Sequence, residues 1–291
     1  MIRLQVRHRT VYRYAKPVQL DAHRFLCRPR DTHELRVLDA QLSFSPVAET
    51  RWTSDVFGNS VLWLHFREPA AELVVESVLD LEHYPADPEQ LVLEPQALTI
   101  PVAYTEAEHV DLAPYLRRHY HDPENALAIW ARRFVKENEG DTLRTLAAMN
   151  GAIKEEFHYQ RRDEPGTWTP AATLASKGGT CRDLALLMME AVRSLGLAAR
   201  FVSGYLYDAE RLSSGDSAMV GGGETHAWLQ VFLPGEGWVA YDPTNALVAG
   251  NNLLEVAVTR DPEQAVPLAG SFVGQPDDAL GMHVEVTITA H

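Results

Sequence analysis

The first ninety residues alternate. In LQVRHRTVYRY, LRVLDAQLSFSP, SVLWLHF and ELVVESVLDLEHY, apolar and polar side chains trade places, and β-branched and aromatic residues are frequent. That period of two predicts strands with one buried face. Gly-Asn in DVFGNSV marks a turn between two of them. Several short strands with turns and no helical period predict an antiparallel β-sandwich. Residues 85–105 carry four prolines and read as a linker with extended pieces.

Beyond the linker the period changes. From Asp111 to Ala152 it is helical: Asp122 caps a helix that Pro123 opens (PENALAIWARRFVKE), and Asp141 caps a second (TLRTLAAMNGAIKEEF). FHYQRRDEPGTWTPAATLAS reads as a loop. A third helix follows, with Leu184, Leu187, Met188, Ala191, Val192 and Leu195 on one face. Thr180 is its N-cap, Asp183 the acidic half of a capping box, and Gly196 its stop. ARFVSGYLYD is a strand. Residues 209–224 form a polar, glycine-rich loop, expected to be a flap beside a cleft. THAWLQVFL is a strand, PGEG a turn and GWVAYDPTN the return strand.

Length and composition narrow the class. A chain of 291 residues predicts two domains, drawn here at 1–105 and 106–291. The net charge of −14 is uneven: residues 1–36 carry nine Lys/Arg against three Asp/Glu, which leaves −20 on the remainder. A nucleic-acid reader needs a sustained basic surface, so no nucleic-acid partner is expected. No apolar run reaches the length of a membrane span, and MIRLQVRHRTVYRY lacks the apolar stretch of a secretory signal. Two cysteines, Cys27 and Cys181, are no disulfide framework, and a cytoplasmic location is expected.

Cys181 stands in the first turn of its helix, where free N–H groups and the dipole favour a thiolate. A helix terminus contributes only about 0.3–1 kcal/mol. A nucleophile at neutral pH therefore also needs an imidazole. His226 and Asp242 lie on adjoining strands, and the aspartate can hold the ring only if both share a face. Opposed residues of an antiparallel pair keep a constant sum of numbers. A four-residue loop would pair 233 with 238 and separate the two side chains. A loop of three or five residues, or a bulge, brings them onto one face, so that geometry is expected. With it, Cys181, His226 and Asp242 supply nucleophile, base and orienter.

Other groups carry less. His119, His121 and Asp122 resemble a fragment of a metal site without further ligands, and neither metal nor cofactor is expected. Three glycines at 221–223 lack the strand–loop–helix order of a phosphate cradle. Cys27 reads as a buried strand residue.

GGTCRDLALLMMEAVRSLGLAARFVSGYL and THAWLQVFLPGEGWVAYDPTN, with their spacing, resemble the bacterial transglutaminase-like superfamily, often described as cysteine proteases. VYRYAKPVQLDAHRFLCRPR and DVFGN resemble that family's β-rich N-terminal region, and TRDPEQAVPLAGSFVG with HVEVTIT its C-terminal end. The resemblance implies an α+β chain: an N-terminal sandwich, then a papain-like core in which a Cys helix packs on an antiparallel sheet. It carries nucleophile, base and acid onto Cys181, His226 and Asp242. Family members commonly have Gln where Arg182 stands, which bears on substrate preference. The expected activity is acyl transfer through a thioester, hydrolysing a peptide or protein amide. Glutamine cross-linking and a non-catalytic assembly module are the alternatives. The Cys181 N–H would serve the oxyanion, with Tyr159 the first choice of second donor before Gln160 and Trp168. Trp168, Arg182 and Tyr205 are the substrate-binding candidates. Oligomeric state is not legible.

Overall fold

A computed structural model describes residues 1–84, 91–122, 124–162, 166–208, 223–250 and 252–291. The alternating N-terminal third forms β1 (Ile2–Leu20), β2 (His23–Phe25), β3 (Leu35–Ser45), β4 (Ala48–Ser54), β5 (Ser60–Phe66) and β6 (Ala70–His83). β1, β6 and β3 make one antiparallel sheet, and β2, β5 and β4 a second. Each sheet has one apolar face, and the two close on each other. Tyr14, Val18 and Leu73 meet Phe25, Leu62 and Leu64 between them, with Cys27 in the same cluster.

The helical part follows as α1 (Glu106–Leu116), α2 (Ala126–Glu137), α3 (Thr142–Glu156), the short strand β7 (His158–Tyr159), α4 (Pro170–Ser176), the short strand β8 (Gly178–Gly179) and α5 (Cys181–Ser194). α3 starts as expected, with Asp141 accepting from the Arg144 N–H at 2.8 Å. α2 starts later than Pro123, behind Asn125 in the left-handed region at φ 54°. Asp122 reaches past that turn to the Leu127 and Ala128 N–H groups at 3.3 and 3.4 Å. Its role as a cap survives the displacement.

Five strands complete the core: β9 (Ala199–Leu206), β10 (His226–Leu233), β11 (Gly237–Asp242), β12 (Leu247–Val248) and β13 (Leu253–Thr259). They form an antiparallel sheet in the order β12, β11, β10, β9, β13. α5 lies on this sheet, and α2, α3 and α4 cover its other side. The helix is thus buried on nearly every face, more than an amphipathic stripe predicts. Its polar Glu190 and Arg193 are inside with no exposed side-chain surface, paired at 2.7 Å. Arg193 also donates to the Tyr115, Ala199 and Arg260 carbonyls at 3.0, 2.7 and 2.9 Å. A buried charge persists only when it is paired and hydrogen-bonded in this way. Removing part of an apolar side chain here, as in Leu187→Ala, would cost about 2–5 kcal/mol.

The end of the chain returns to the first domain. β14 (Leu268–Ala269) pairs with β2, β15 (Phe272–Val273) with the end of β1, and β16 (Ala279–Ala290) runs along β1 from Leu4 to Tyr14. Within the span expected as 106–291, these three strands pair with strands of the sandwich. β1 bonds to β6 along one edge, and β16 fills the other.

Polar contacts dock the sandwich on the core sheet. His8 Nδ1 meets the Tyr205 hydroxyl at 3.0 Å, and His83 Nδ1 the Tyr207 hydroxyl at 2.8 Å. Asn59, fully buried, spans one residue of β13: its amide donates to the Val258 carbonyl at 2.7 Å and accepts the Val258 N–H at 3.0 Å. Around them Leu4, Val6, Leu79 and Leu81 pack on Tyr205, Leu254 and Val256. Gly204 is the close approach in this sheet: a Cβ there would sit 2.1 Å from the Leu254 carbonyl oxygen and 2.7 Å from the Trp228 indole.

The glycine-rich segment read as a flap and the Gly221-Gly222 pair fall outside the described residues. His119 places Nε2 on the Pro114 carbonyl at 3.1 Å and its backbone N–H on Glu190. Among the described residues no group of three or more His, Cys, Asp or Glu side chains could hold a metal ion.

Candidate active site

Thr180 caps α5 by accepting from the Asp183 N–H, and Asp183 returns the bond to the Thr180 N–H at 2.8 Å. The capping box read from TCRD is therefore formed. Cys181 follows as the first helical residue, only 8 % exposed. Asp183, fully buried, also gathers the preceding loop. It accepts from the Trp168 N–H at 2.6 Å and from Arg162 at 2.9 and 3.3 Å, and the Arg162 guanidinium lies 4.7 Å from the Trp168 ring. One carboxylate thus fixes both the helix start and the loop in front of it.

The hairpin carrying the other two groups has the expected parity. β10 and β11 pair Leu233 with Gly237 and Leu229 with Tyr241. The connection is therefore the three residues Pro234, Gly235 and Glu236. Gly235 takes a φ of 97°, and a Cβ there would lie 2.7 Å from the Glu94 backbone nitrogen, a position that glycine alone fills without strain. The even sum puts His226 and Asp242 on one face, in diagonal relation. His226 Nε2 meets Asp242 Oδ2 at 2.8 Å, with both side chains fully buried.

Asp242 is held as an acceptor. The Thr244 N–H reaches its Oδ1 at 2.9 Å, and the Asn245 amide donates to its Oδ2 at 2.9 Å. Burial would raise its pKa, but the His226 charge and these bonds hold it below the usual carboxylate range. For His226 burial would lower the pKa, yet Asp242 and then the Cys181 thiol raise it above its ordinary value. His226 Nδ1 is buried without an aligned hydrogen-bond partner. Trp228 backs the imidazole, its ring stacked 6.2 Å away and tilted by 27°.

Of the other expected site residues, Tyr159 is the one on which the Cys181 charge acts. Its strand β7 pairs in parallel with β8, the two residues that lead into Thr180. Its hydroxyl is pushed up to about 12 by burial and by the charges of Cys181 and Glu224. Arg161 and Glu224, paired at 2.8 Å, flank it. Trp168 is half-buried, tied to Asp183 as described. Gln160 donates its N–H to the Gly179 carbonyl at 2.9 Å, extending the β7 ladder. Arg182 does not face the cleft. It donates to the Pro262 carbonyl and lies over the Phe201 ring at 5.0 Å, because the residue after the nucleophile points along α5 into its packing. Tyr205 is not a cleft residue either. It is 1 % exposed and docks on His8, because the sandwich covers that end of β9. Sequence reasoning missed Thr244 and Asn245. Their signal was the DPTN turn, in which an Asp side chain takes the N–H two residues on.

This arrangement defines a class: a helix that begins at a cysteine, packed on an antiparallel sheet that carries a paired histidine and aspartate, is the papain-like layout. Residues 4–82 match the bacterial transglutaminase-like N-terminal region, and residues 129–243 match the transglutaminase-like superfamily. The chain belongs to the transglutaminase-like superfamily. It is 30 % identical to an uncharacterised protein of Mycobacterium tuberculosis over 98 % of this chain and 92 % of the relative. It is also 28 % identical to a protein-glutamine gamma-glutamyltransferase of Pseudomonas aeruginosa, over 46 % of this chain and 17 % of that protein. The fold matches the crystal structure of a candidate cysteine protease from Cytophaga hutchinsonii with a TM-score of 0.74 at 19 % identity, over 100 % of this chain and 98 % of that one.

Proposed function

We propose that the chain is a cysteine-dependent acyl-transfer enzyme that hydrolyses a peptide or protein amide. The observation that carries this reading is the buried His226–Asp242 pair at 2.8 Å, whose imidazole also feels the Cys181 thiol. His226 takes the thiol proton, and Asp242 fixes the ring tautomer and stabilises imidazolium. The thiolate attacks the amide carbonyl carbon. The Cys181 N–H at the start of α5 and the Tyr159 hydroxyl donate to the developing oxyanion. The C–N bond breaks, and the amine leaves with the imidazolium proton. Neutral His226 then activates a water, which attacks the thioester, releases the acid and restores the thiol. A cytoplasmic location fits two cysteines that are both free.

The partial match to a gamma-glutamyltransferase favours a second outcome, in which an amine resolves the thioester and forms a new amide. Both outcomes are tested by incubating the enzyme with peptide and glutaminyl amides, with and without a primary amine, and weighing the products by mass spectrometry. Acid product that persists in the presence of amine supports hydrolysis. Amine adduct in its place assigns cross-linking. No product dependent on Cys181 with any amide overturns both readings in favour of a non-catalytic module.

A further inference from the structure

Asp183 makes more bonds than a helix cap requires. A capping box asks its carboxylate for one, to the Thr180 N–H, here at 2.8 Å. The same carboxylate also accepts from the Thr180 hydroxyl at 2.9 Å, from the Trp168 N–H at 2.6 Å and from both terminal nitrogens of Arg162 at 2.9 and 3.3 Å. The Asp183 side chain has no exposed surface, and that of Arg162 is only 10 % exposed. A forked, charged pair fixes geometry as well as adding energy, so this carboxylate is a rigid anchor.

The anchor joins the start of α5 to the strand that carries Tyr159. In α5 the cap engages the N–H groups of Thr180 and Asp183, close neighbours of the Cys181 N–H. In β7, Tyr159 pairs with Gly179, and the Gln160 N–H reaches the Gly179 carbonyl at 2.9 Å. A Cβ on Gly179 would sit 2.7 Å from the Asp183 Cβ, so β8 is pressed against the anchor. A parallel ladder of two residues is by itself a weak restraint on a tyrosine hydroxyl. Arg162, two residues beyond Gln160, supplies the further hold. Besides its fork on Asp183 it donates to the Gly166 carbonyl at 2.8 Å and lies 4.7 Å from the Trp168 ring.

We propose that Asp183 and Arg162 are positioning residues for the oxyanion donors, holding the Tyr159 hydroxyl and the Cys181 N–H at the spacing that one developing oxyanion requires. This inference rests on the acyl-transfer reading above. Neither residue touches the substrate: the pair acts through β7 and the first turn of α5. Donors stabilise a transition state only when they are placed before the charge develops, and a small misplacement is costly.

A double-mutant cycle on the amide panel tests it. Tyr159→Phe should lower kcat by about 10²-fold. Arg162→Ala leaves the Thr180 cap in place and should lower kcat by about tenfold with KM unaltered. In the Tyr159→Phe background Arg162→Ala should cost nothing further, because no hydroxyl is left to misplace, whereas a merely structural role would add the two losses. Alkylation of Cys181 by iodoacetamide forms no oxyanion, so Arg162→Ala should keep the native rate. Arg162→Lys keeps a cation beside buried Asp183 but gives up the fork. It should show the same pattern with a smaller loss, and it replaces the alanine variant if circular dichroism finds that one unfolded. The native chain and Cys181→Ala are run first: absence of any Cys181-dependent product overturns the acyl-transfer reading and this inference with it. Where the native chain turns over, unchanged kcat in Arg162→Ala, additive losses in the double variant, or alkylation slowed in step with kcat overturns this inference alone.

Discussion

The two cysteines occupy two regions built alike from antiparallel sheet, and their surroundings have nothing in common. Cys27 lies inside the sandwich with no exposed surface, and burial pushes its thiol up to about 12. Cys181 opens α5, and it acts on the charge of the imidazole that buried Asp242 holds. A layer of apolar faces closed on itself makes a thiol inert, because burial outweighs the small favour that Ser77 and Arg28 give its charge. The candidate site draws instead on the start of a helix and the ends of two strands.

The largest effects should separate these regions by activity. Cys181→Ala and His226→Ala should each abolish turnover, and Asp242→Asn should lower it by about 10⁴-fold. Cys27→Ala should change stability and leave kcat unaltered. Steady-state kinetics on the amide panel with circular dichroism checks both. Loss of turnover in a well-folded Cys27→Ala chain would break the comparison.

Thiol labelling sharpens it without a substrate. Iodoacetamide at pH 6–7 should modify Cys181 at least about a hundredfold faster than Cys27, since only a thiolate reacts. His226→Ala should remove most of that advantage. Peptide mapping by mass spectrometry reads both rates, and equal labelling of the two thiols would point to an inert module.

Stability against pH should carry opposite signs in the two regions. Burial lowers His8 and His83 at the docking surface to about 4. Between that value and the unfolded value of about 6.5 the unfolded chain binds more protons, so stability rises with pH across that window. His226 is raised by Asp242 against the effect of burial. Its contribution is whole below about 6.5 and is lost as pH rises through its raised folded pKa. Asp242 is lowered, so its contribution is present above about 3.9 and lost as pH falls through its folded pKa. Urea unfolding from pH 4 to 9 should show a climb on the acid side that His8→Gln with His83→Gln flattens. The decline on the alkaline side should vanish in Asp242→Asn. The smallest effect falls between the regions: Asn59→Ala should cost about 1–3 kcal/mol by leaving the Val258 N–H and carbonyl unpaired, with kcat unchanged.

Much of this was legible in local pattern. The capping box at Thr180 and Asp183, the cap at Asp141 and the strand period of β9, β10 and β11 depend on residues within a few positions of each other. The parity argument went further, because a three-residue loop is a local fact with a consequence across two strands. Local pattern does not say which way a side chain is covered, because that depends on what docks there: Tyr205 lies against His8, Arg182 against Pro262 and Phe201, and β16 against β1.

The amino-acid sequence by itself determined the elements, their faces and the three residue types at their ends, since period, caps and turn parity are short-range properties. Tertiary structure alone decided that the chain's last strand pairs along its first, and that the sandwich seals the far end of β9. Those features come from burial of whole faces, and burial is a property of what lies opposite, which no local pattern encodes.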